Sequence, residues 1–192
     1  SFEELIDLAS DYGFSCVEVC CWPVGKAERR YAGVTHIDVE TLDEQRAVAI
    51  NDDCRNKGVE ISALGYYPNP LDPDEEKSSF FIDHIRKVID ASAMLGIYKI
   101  NTFIGRDKNK NVDENFEAFR KVWPEIIWHA GEKGVKIGIE NCPMIFTNDE
   151  WPGGNNLATA PAIWRRMFSE ISSGHFGLNY DPSHLLWQQM DY

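Results

Sequence analysis

Apolar positions along the chain follow two alternating rhythms. Phe2, Leu5, Ile6, Leu8, Ala9 and Tyr12 recur at helical spacing behind a Ser1/Glu4 capping box, and Gly13 ends the run. Residues 16–21 switch to period two, with Val17 and Val19 alternating against Glu18, which predicts a strand. Thr41 and Glu44 offer a second capping box. Ala47, Val48, Ile50 and Cys54 stripe the helix it opens, Gly58 closes it, and a strand follows over 59–64. Asp72, Pro73 and Glu75 open a third helix through Phe81, Ile82, Ile85, Val88, Ile89 and Leu95, with a strand over 97–103. A fourth helix spans about 112–132, where Pro124 predicts a kink or two abutting helices, and a strand runs from 135 to Glu140. A long loop rich in Pro, Gly and Asn leads to a fifth helix near Pro161, carrying Ile163, Trp164, Met167, Phe168 and Ile171. The last strand starts at Phe176 and ends at Asp181.

Helix and strand thus alternate five times, which implies parallel strands joined by right-handed helical crossovers. An open doubly wound sheet and a (β/α)₈ barrel both satisfy that order. No glycine-rich phosphate loop follows any strand, which weighs against nucleotide binding. A full barrel takes roughly 250 residues. The 192 residues here show five strands and open on a helix, so the expectation is one domain over 1–192 that lacks a first strand and the last two. There is no low-complexity segment and no domain linker.

Counting by twos places Glu140, Gly138 and Lys136 on one strand face and Ile137 and Ile139 on the other. The last strand divides likewise, Asp181, Asn179 and Gly177 against Tyr180, Leu178 and Phe176. The apolar faces should meet the helices and the glycine-rich faces the barrel interior. Glu140 and Asp181 then share one side of the wall, with His184 just beyond in Asp181-Pro182-Ser183-His184. Two carboxylates and an imidazole at strand ends suit a divalent-metal site at the barrel mouth. Each residue also has a plainer reading. Glu140 could cap a helix or pair with a lysine, Asp181 before proline could be a turn residue, and His184 could open a helix. Glu18, opposite Val17 and Val19, is a further candidate for the interior.

The remaining composition narrows the classes. A net charge of −12 and the absence of a basic run disfavour nucleic acid as a partner. No apolar run approaches the length of a membrane span, and no signal-peptide pattern opens the chain. Five cysteines without a CxxC spacing read as buried free thiols of a reducing cytoplasm. The strand edges of an incomplete barrel would suit a homo-oligomer.

Taken in order, Val17-Glu18-Val19 after Gly13, residues 101–105 (NTFIG), Ile139-Glu140-Asn141 and residues 179–184 (NYDPSH) resemble the xylose-isomerase-like TIM barrels, the sugar phosphate isomerase/epimerase group. The resemblance covers nearly the whole chain. It implies a (β/α)₈ TIM barrel, incomplete here. It also implies Glu140 as metal ligand and proton-moving residue, Asp181 as metal ligand, and His184 as a contact to substrate oxygen. The family completes its site with a histidine and a glutamate from two later strands, which this sequence does not contain. The endonuclease branch adds histidines after earlier strands. Gly65-Tyr66-Tyr67 and Thr102-Phe103-Ile104 stand there instead, so a single ion (Mn, Mg, Co or Zn) is the expected cofactor.

The chemistry so implied is proton removal next to a carbonyl, with a divalent ion neutralising the enediolate oxygens and Glu140 as base. The expected activity is a cytoplasmic isomerase or epimerase of a small sugar or keto-polyol. Alternatives are an inosose-type dehydratase on the same scaffold and a sugar-binding barrel without turnover. Asn141 and Tyr66 are further expected substrate contacts; Tyr66 and Tyr67 follow a strand and could wall a sugar pocket, although turn packing explains them as well. Residues 151–156 form a loop on the same side that could serve as a lid. His36 could reach the mouth. His84 and His129 fit packing or surface roles, His175 lies at the far end of its strand, and the tryptophans at 123, 128 and 164 are expected in the core.

Overall fold

The computed structural model describes residues 1–25, 33–144, 154–186 and 188–191. Five parallel strands form one sheet in sequence order: β1 (Cys16–Cys20), β2 (Glu60–Gly65), β3 (Lys99–Thr102), β4 (Lys136–Glu140) and β5 (Phe176–Asn179). The helices α1 (Phe2–Asp11), α2 (Glu44–Lys57), α3 (Glu75–Met94), α4 (Val112–Glu132) and α5 (Pro161–Glu170) alternate with them, and a single turn, α6 (Ser183–Leu186), follows β5. Neighbouring parallel strands joined by helices, with no reversal of order, make an incomplete barrel wall.

Local chemistry sets the element ends. Ser1 Oγ accepts from Glu4 N–H, as its capping box predicts. The cap of α2 is Asp43, whose Oδ1 accepts from Arg46 N–H at 2.7 Å, whereas Thr41 bonds Asp38. Helix α3 starts after Asp74 rather than Asp72, and Asp74 bonds the Glu76 and Lys77 amides. Helix α4 runs unbroken through Pro124. Pro124 lies on the exposed face, where the carbonyl it frees can turn to water.

The strand faces divide as the alternation predicts. Val19, Leu64, Ile100, Ile137 and Ile139 are buried in the main apolar cluster with Ile85, Val88, Ile89, Phe119 and Trp123 of α3 and α4. Phe176 packs on Phe119, Trp123 and Phe168. Burial of these side chains contributes on the order of 1.5–3 kcal/mol each and fixes the strand register. Trp164 belongs to this core, but Trp128 is 67% exposed. Of the thiols, Cys21 and Cys54 are buried, Cys20 and Cys142 half-buried and Cys16 exposed, so burial holds for only part of the set. Among the described residues no helix is long and apolar enough to cross a membrane.

Candidate functional site

Parallel strands deliver their C-terminal ends to one rim, and Glu140 is the last residue of β4. Its ladder partner is Asn179, the last residue of β5. Asn179 Nδ2 donates to Glu140 Oε2 at 2.8 Å, so one carboxylate oxygen is held by the adjacent strand. Asp181 follows two residues later. Its Oδ1 accepts from Ser183 N–H at 2.8 Å, which makes it the turn-forming residue that starts α6. The opposite oxygen, Oδ2, lies 3.6 Å from His184 Nε2, and the same nitrogen lies 3.4 Å from Glu140 Oε1. The turn reading and the site reading of Asp181 are therefore both true, one for each oxygen. Single ligand atoms of Glu140, Asp181 and His184 all lie within 4.8 Å of one another.

The two carboxylates are electrostatically unequal. Burial, then the negative charge of Asp181, push Glu140 up to about 7, against the pull of the Asn179 hydrogen bond. Hydrogen bonding from Ser183 and the nearby His184 hold Asp181 below its usual range. Different environments for neighbouring acids are how a site keeps one carboxyl able to exchange a proton while the other stays ionised.

Asparagine amides lock this rim. Asn141 Nδ2 donates to the Asp181 carbonyl at 2.9 Å and its Oδ1 accepts from the Asp181 amide at 2.8 Å. Asn156 Nδ2 donates to the carbonyls of Glu140 (2.9 Å) and Cys142 (2.6 Å), while its Oδ1 accepts from Ile104 N–H. Both asparagines are fully buried, and backbone groups past the strand ends gain the partners that the ladder no longer supplies. Asn141 is thus spent on positioning Asp181 and is not free to contact substrate.

Deeper in the barrel, Glu18 accepts from the Tyr67 hydroxyl and from Asn101 Nδ2. The register of β1 on β2 shifts between Val17 and Glu18, and Ser62 Oγ bonds the Val17 carbonyl at the irregularity. Gly65 and Gly138 make room for this layer. A Cβ on Gly65 would collide with Glu18 Oε1, and one on Gly138 with Asn101 Oδ1 and, at 3.2 Å, with Asn179 Cβ.

The expected site residues separate accordingly. Glu140, Asp181 and His184 come together. Tyr66 does not join them: it is 1% exposed, its ring packs edge-on against Trp22 and His84, and its hydroxyl has no partner among the described residues. Its neighbour Tyr67, one position on and on the opposite face, enters the barrel interior instead. His36 Nδ1 accepts from Cys20 N–H at the end of β1, which leaves the proton on Nε2. His84 is buried against the Cys21 carbonyl, His129 pairs with Asp90, and His175 bonds the Val135 carbonyl at the start of β4. Residues 151–153 of the expected lid lie outside the described residues; Asn156, at its end, is the clamp described above. Sequence reading puts Asn179 on the inward face without giving it a role, and it misses Asn101 and Asn156. Strand parity could have found Asn101, which shares the inward face with Asn179 and the glycines.

The donor set fits a divalent cation. Two carboxylates and an imidazole offer ligand atoms within 4.8 Å of one another, and among the described residues no lysine or arginine pairs with the two acids.

Comparison with known proteins identifies the fold and the family of the chain. The chain superposes on D-psicose 3-epimerase solved with D-fructose at a TM-score of 0.73 and 13% identity, covering 100% of this chain and 61% of that one. It superposes on the probable 3-DHS dehydratase AsbF from Bacillus anthracis at 0.70 and 17% identity, covering 100% and 61%. For the 3-keto-D-glucoside 4-epimerase YcjR from E. coli the values are 0.69 and 14%, covering 99% and 66%. The chain therefore spans about three fifths of the length of these solved relatives. No curated protein matches it. The model of the xylose isomerase-like TIM barrel matches residues 6–192, nearly the whole length, and the chain belongs to that family.

Proposed function

We propose that this chain carries the metal-binding half of a sugar isomerase or epimerase that removes a proton next to a carbonyl. The observation that carries this reading is the convergence of Glu140, Asp181 and His184 within 4.8 Å at the ends of β4 and β5. Glu140 and Asp181 would hold the divalent ion, with His184 beside them. When bound, the ion supplies positive charge that stabilises negative charge developing on substrate oxygens.

The chain's own residues do the rest. Glu140 has one oxygen anchored by Asn179 and the other turned toward His184 and the open mouth. A carboxyl raised to about 7 is close to neutral pH in proton affinity, which suits it to take a proton from carbon and return it. His184, on the turn after Asp181, is placed to hydrogen-bond a substrate oxygen near that carbon. Asn141 and Asn156 hold the backbones of Asp181 and Glu140, so the acids need no reorganisation when substrate arrives. The names of the similar structures include two epimerases and a dehydratase. A dehydratase begins with the same proton removal, so the first step holds for either outcome.

The test is solvent deuterium exchange. The intact protein, supplied with Mn²⁺, is incubated in D₂O with a panel of ketoses, and deuterium at the carbon next to the carbonyl is read by NMR. The proposal expects exchange in wild type and a loss of at least a hundredfold in Glu140→Gln. Exchange that is equal in the variant, or absent with every ketose, overturns it.

A further inference from the structure

Arg106 lies in the loop after β3, on the same rim as Glu140, and its main chain is fixed with unusual completeness. Asn69 Oδ1 accepts from the Arg106 amide at 2.7 Å, and Asn69 Nδ2 donates to the Arg106 carbonyl at 2.9 Å. The next residue, Asp107, is held in the same way by the buried Asn115 amide, at 2.8 and 3.0 Å. The preceding residue, Gly105, adopts φ +83°, and a Cβ there would meet Asn69 Oδ1 and the Leu71 amide at 2.5 and 2.7 Å. This loop is also tied to the candidate site, because Asn156 bonds both the Ile104 amide and the Glu140 carbonyl.

The side chain contrasts with that rigid frame. Arg106 is half-buried, and its Nε is shielded from solvent with no hydrogen-bond partner among the described residues. Five other arginines of this acidic chain behave differently. Arg46, Arg55, Arg86, Arg120 and Arg166 each reach a carboxylate within 3.1 Å. Arg165, which also lacks such a pair among the described residues, is exposed on α5. The sequence offers 31 acids against 19 lysines and arginines, so an arginine has no shortage of partners. An arginine whose main chain is locked on the rim and whose Nε has no acceptor among the described residues is not spent on the fold. Its planar fork matches an anionic oxygen group.

We propose that Arg106 is an anion-binding arm that receives a carboxylate or phosphate at the far end of the substrate. Glu140 acts at the reacting end. The substrate is then an anionic polyol or keto-sugar rather than a neutral one. This inference rests on the proposed sugar chemistry only for the identity of the reacting end; the anion preference itself does not depend on turnover.

The test uses three ligands with one six-carbon skeleton: sorbitol, gluconate and sorbitol 6-phosphate. Each is titrated calorimetrically into the intact, metal-free protein, so that chelation plays no part. At least one anion binds wild type tenfold or more tightly than sorbitol, and Arg106→Gln brings it to the sorbitol value. Preference for gluconate alone assigns a carboxylate, and preference for sorbitol 6-phosphate alone a phosphate. Glu140→Gln keeps the preference, which separates this result from any failure of the deuterium-exchange test. Arg106→Lys, which keeps the charge but loses the fork, is the substitute should Arg106→Gln not fold, with at least a threefold loss expected. The proposal is overturned if neither anion outbinds sorbitol, or if the preference survives in the folded variant.

Discussion

The Asn141 side chain grips the Asp181 main chain from both sides, donating to its carbonyl at 2.9 Å and accepting from its amide at 2.8 Å. The contact joins the end of β4 to the segment beyond β5 after the strand ladder has stopped at Glu140 and Asn179. It sets where Asp181 stands relative to Glu140, and so the spacing of the ligand atoms. Asn141→Ala leaves the half-buried Asp181 amide without its partner and the Asp181 carbonyl with only the His184 amide, at 3.3 Å. Urea denaturation should show a loss of about 1–3 kcal/mol. Metal affinity, read by calorimetry with Mn²⁺, should fall roughly 10–100-fold although no ligand has changed.

Tyr66 and Tyr67 are neighbours with opposite prospects. Tyr66 carries a buried hydroxyl without a partner, so Tyr66→Phe should leave the melting temperature unchanged or raise it. Tyr67 donates to Glu18, whose other oxygen is held by Asn101. Tyr67→Phe should cost about 1–3 kcal/mol, because Glu18 stays inside the barrel with one donor fewer. Thermal melts of the two variants side by side decide the matter.

Gly138 lies between Asn101 and Asn179 on the inward face. Gly138→Ala must push both away, and Asn179 is the residue that holds Glu140. A stability loss of about 1–3 kcal/mol is expected from overpacking. Gly174, with open space at its Cβ position, is the control and should tolerate alanine.

Much of the wall was legible in the sequence because its inward and outward faces differ so sharply. Ile137 and Ile139 against Gly138 and Glu140 admit one orientation, Asp181 follows from the same parity, and His184 from its place three residues on. The asparagine clamps were not legible. Asn69, Asn141 and Asn156 look like ordinary loop residues, and only the backbone they meet gives them a role. Tyr66 and Tyr67 read alike in the sequence because β2 runs through Gly65 before turning to the mouth, and a single step in register sends one into the core and the other into the barrel. Pro124 misled in another way: a proline on the exposed side of a helix costs less than its usual effect suggests.

The protonation of Glu140 gives a pH dependence with a definite sign. Its folded-state value is raised above the ordinary glutamate range to about 7. The folded protein therefore binds this proton more tightly than the unfolded chain does. The associated stability is complete below the ordinary glutamate value and is lost as pH rises through about 7. In metal-free protein, Glu140→Gln should remove this loss, so the variant gains on wild type between pH 5 and pH 8 in parallel thermal melts. A difference between the two that is constant with pH would contradict the assignment.

The most direct measurement is an anomalous-scattering map from crystals of the intact protein soaked in Mn²⁺. A single peak within bonding distance of both Glu140 and Asp181 is the predicted result. A peak elsewhere, or none at this pair while the crystals hold manganese at another place, would contradict the account.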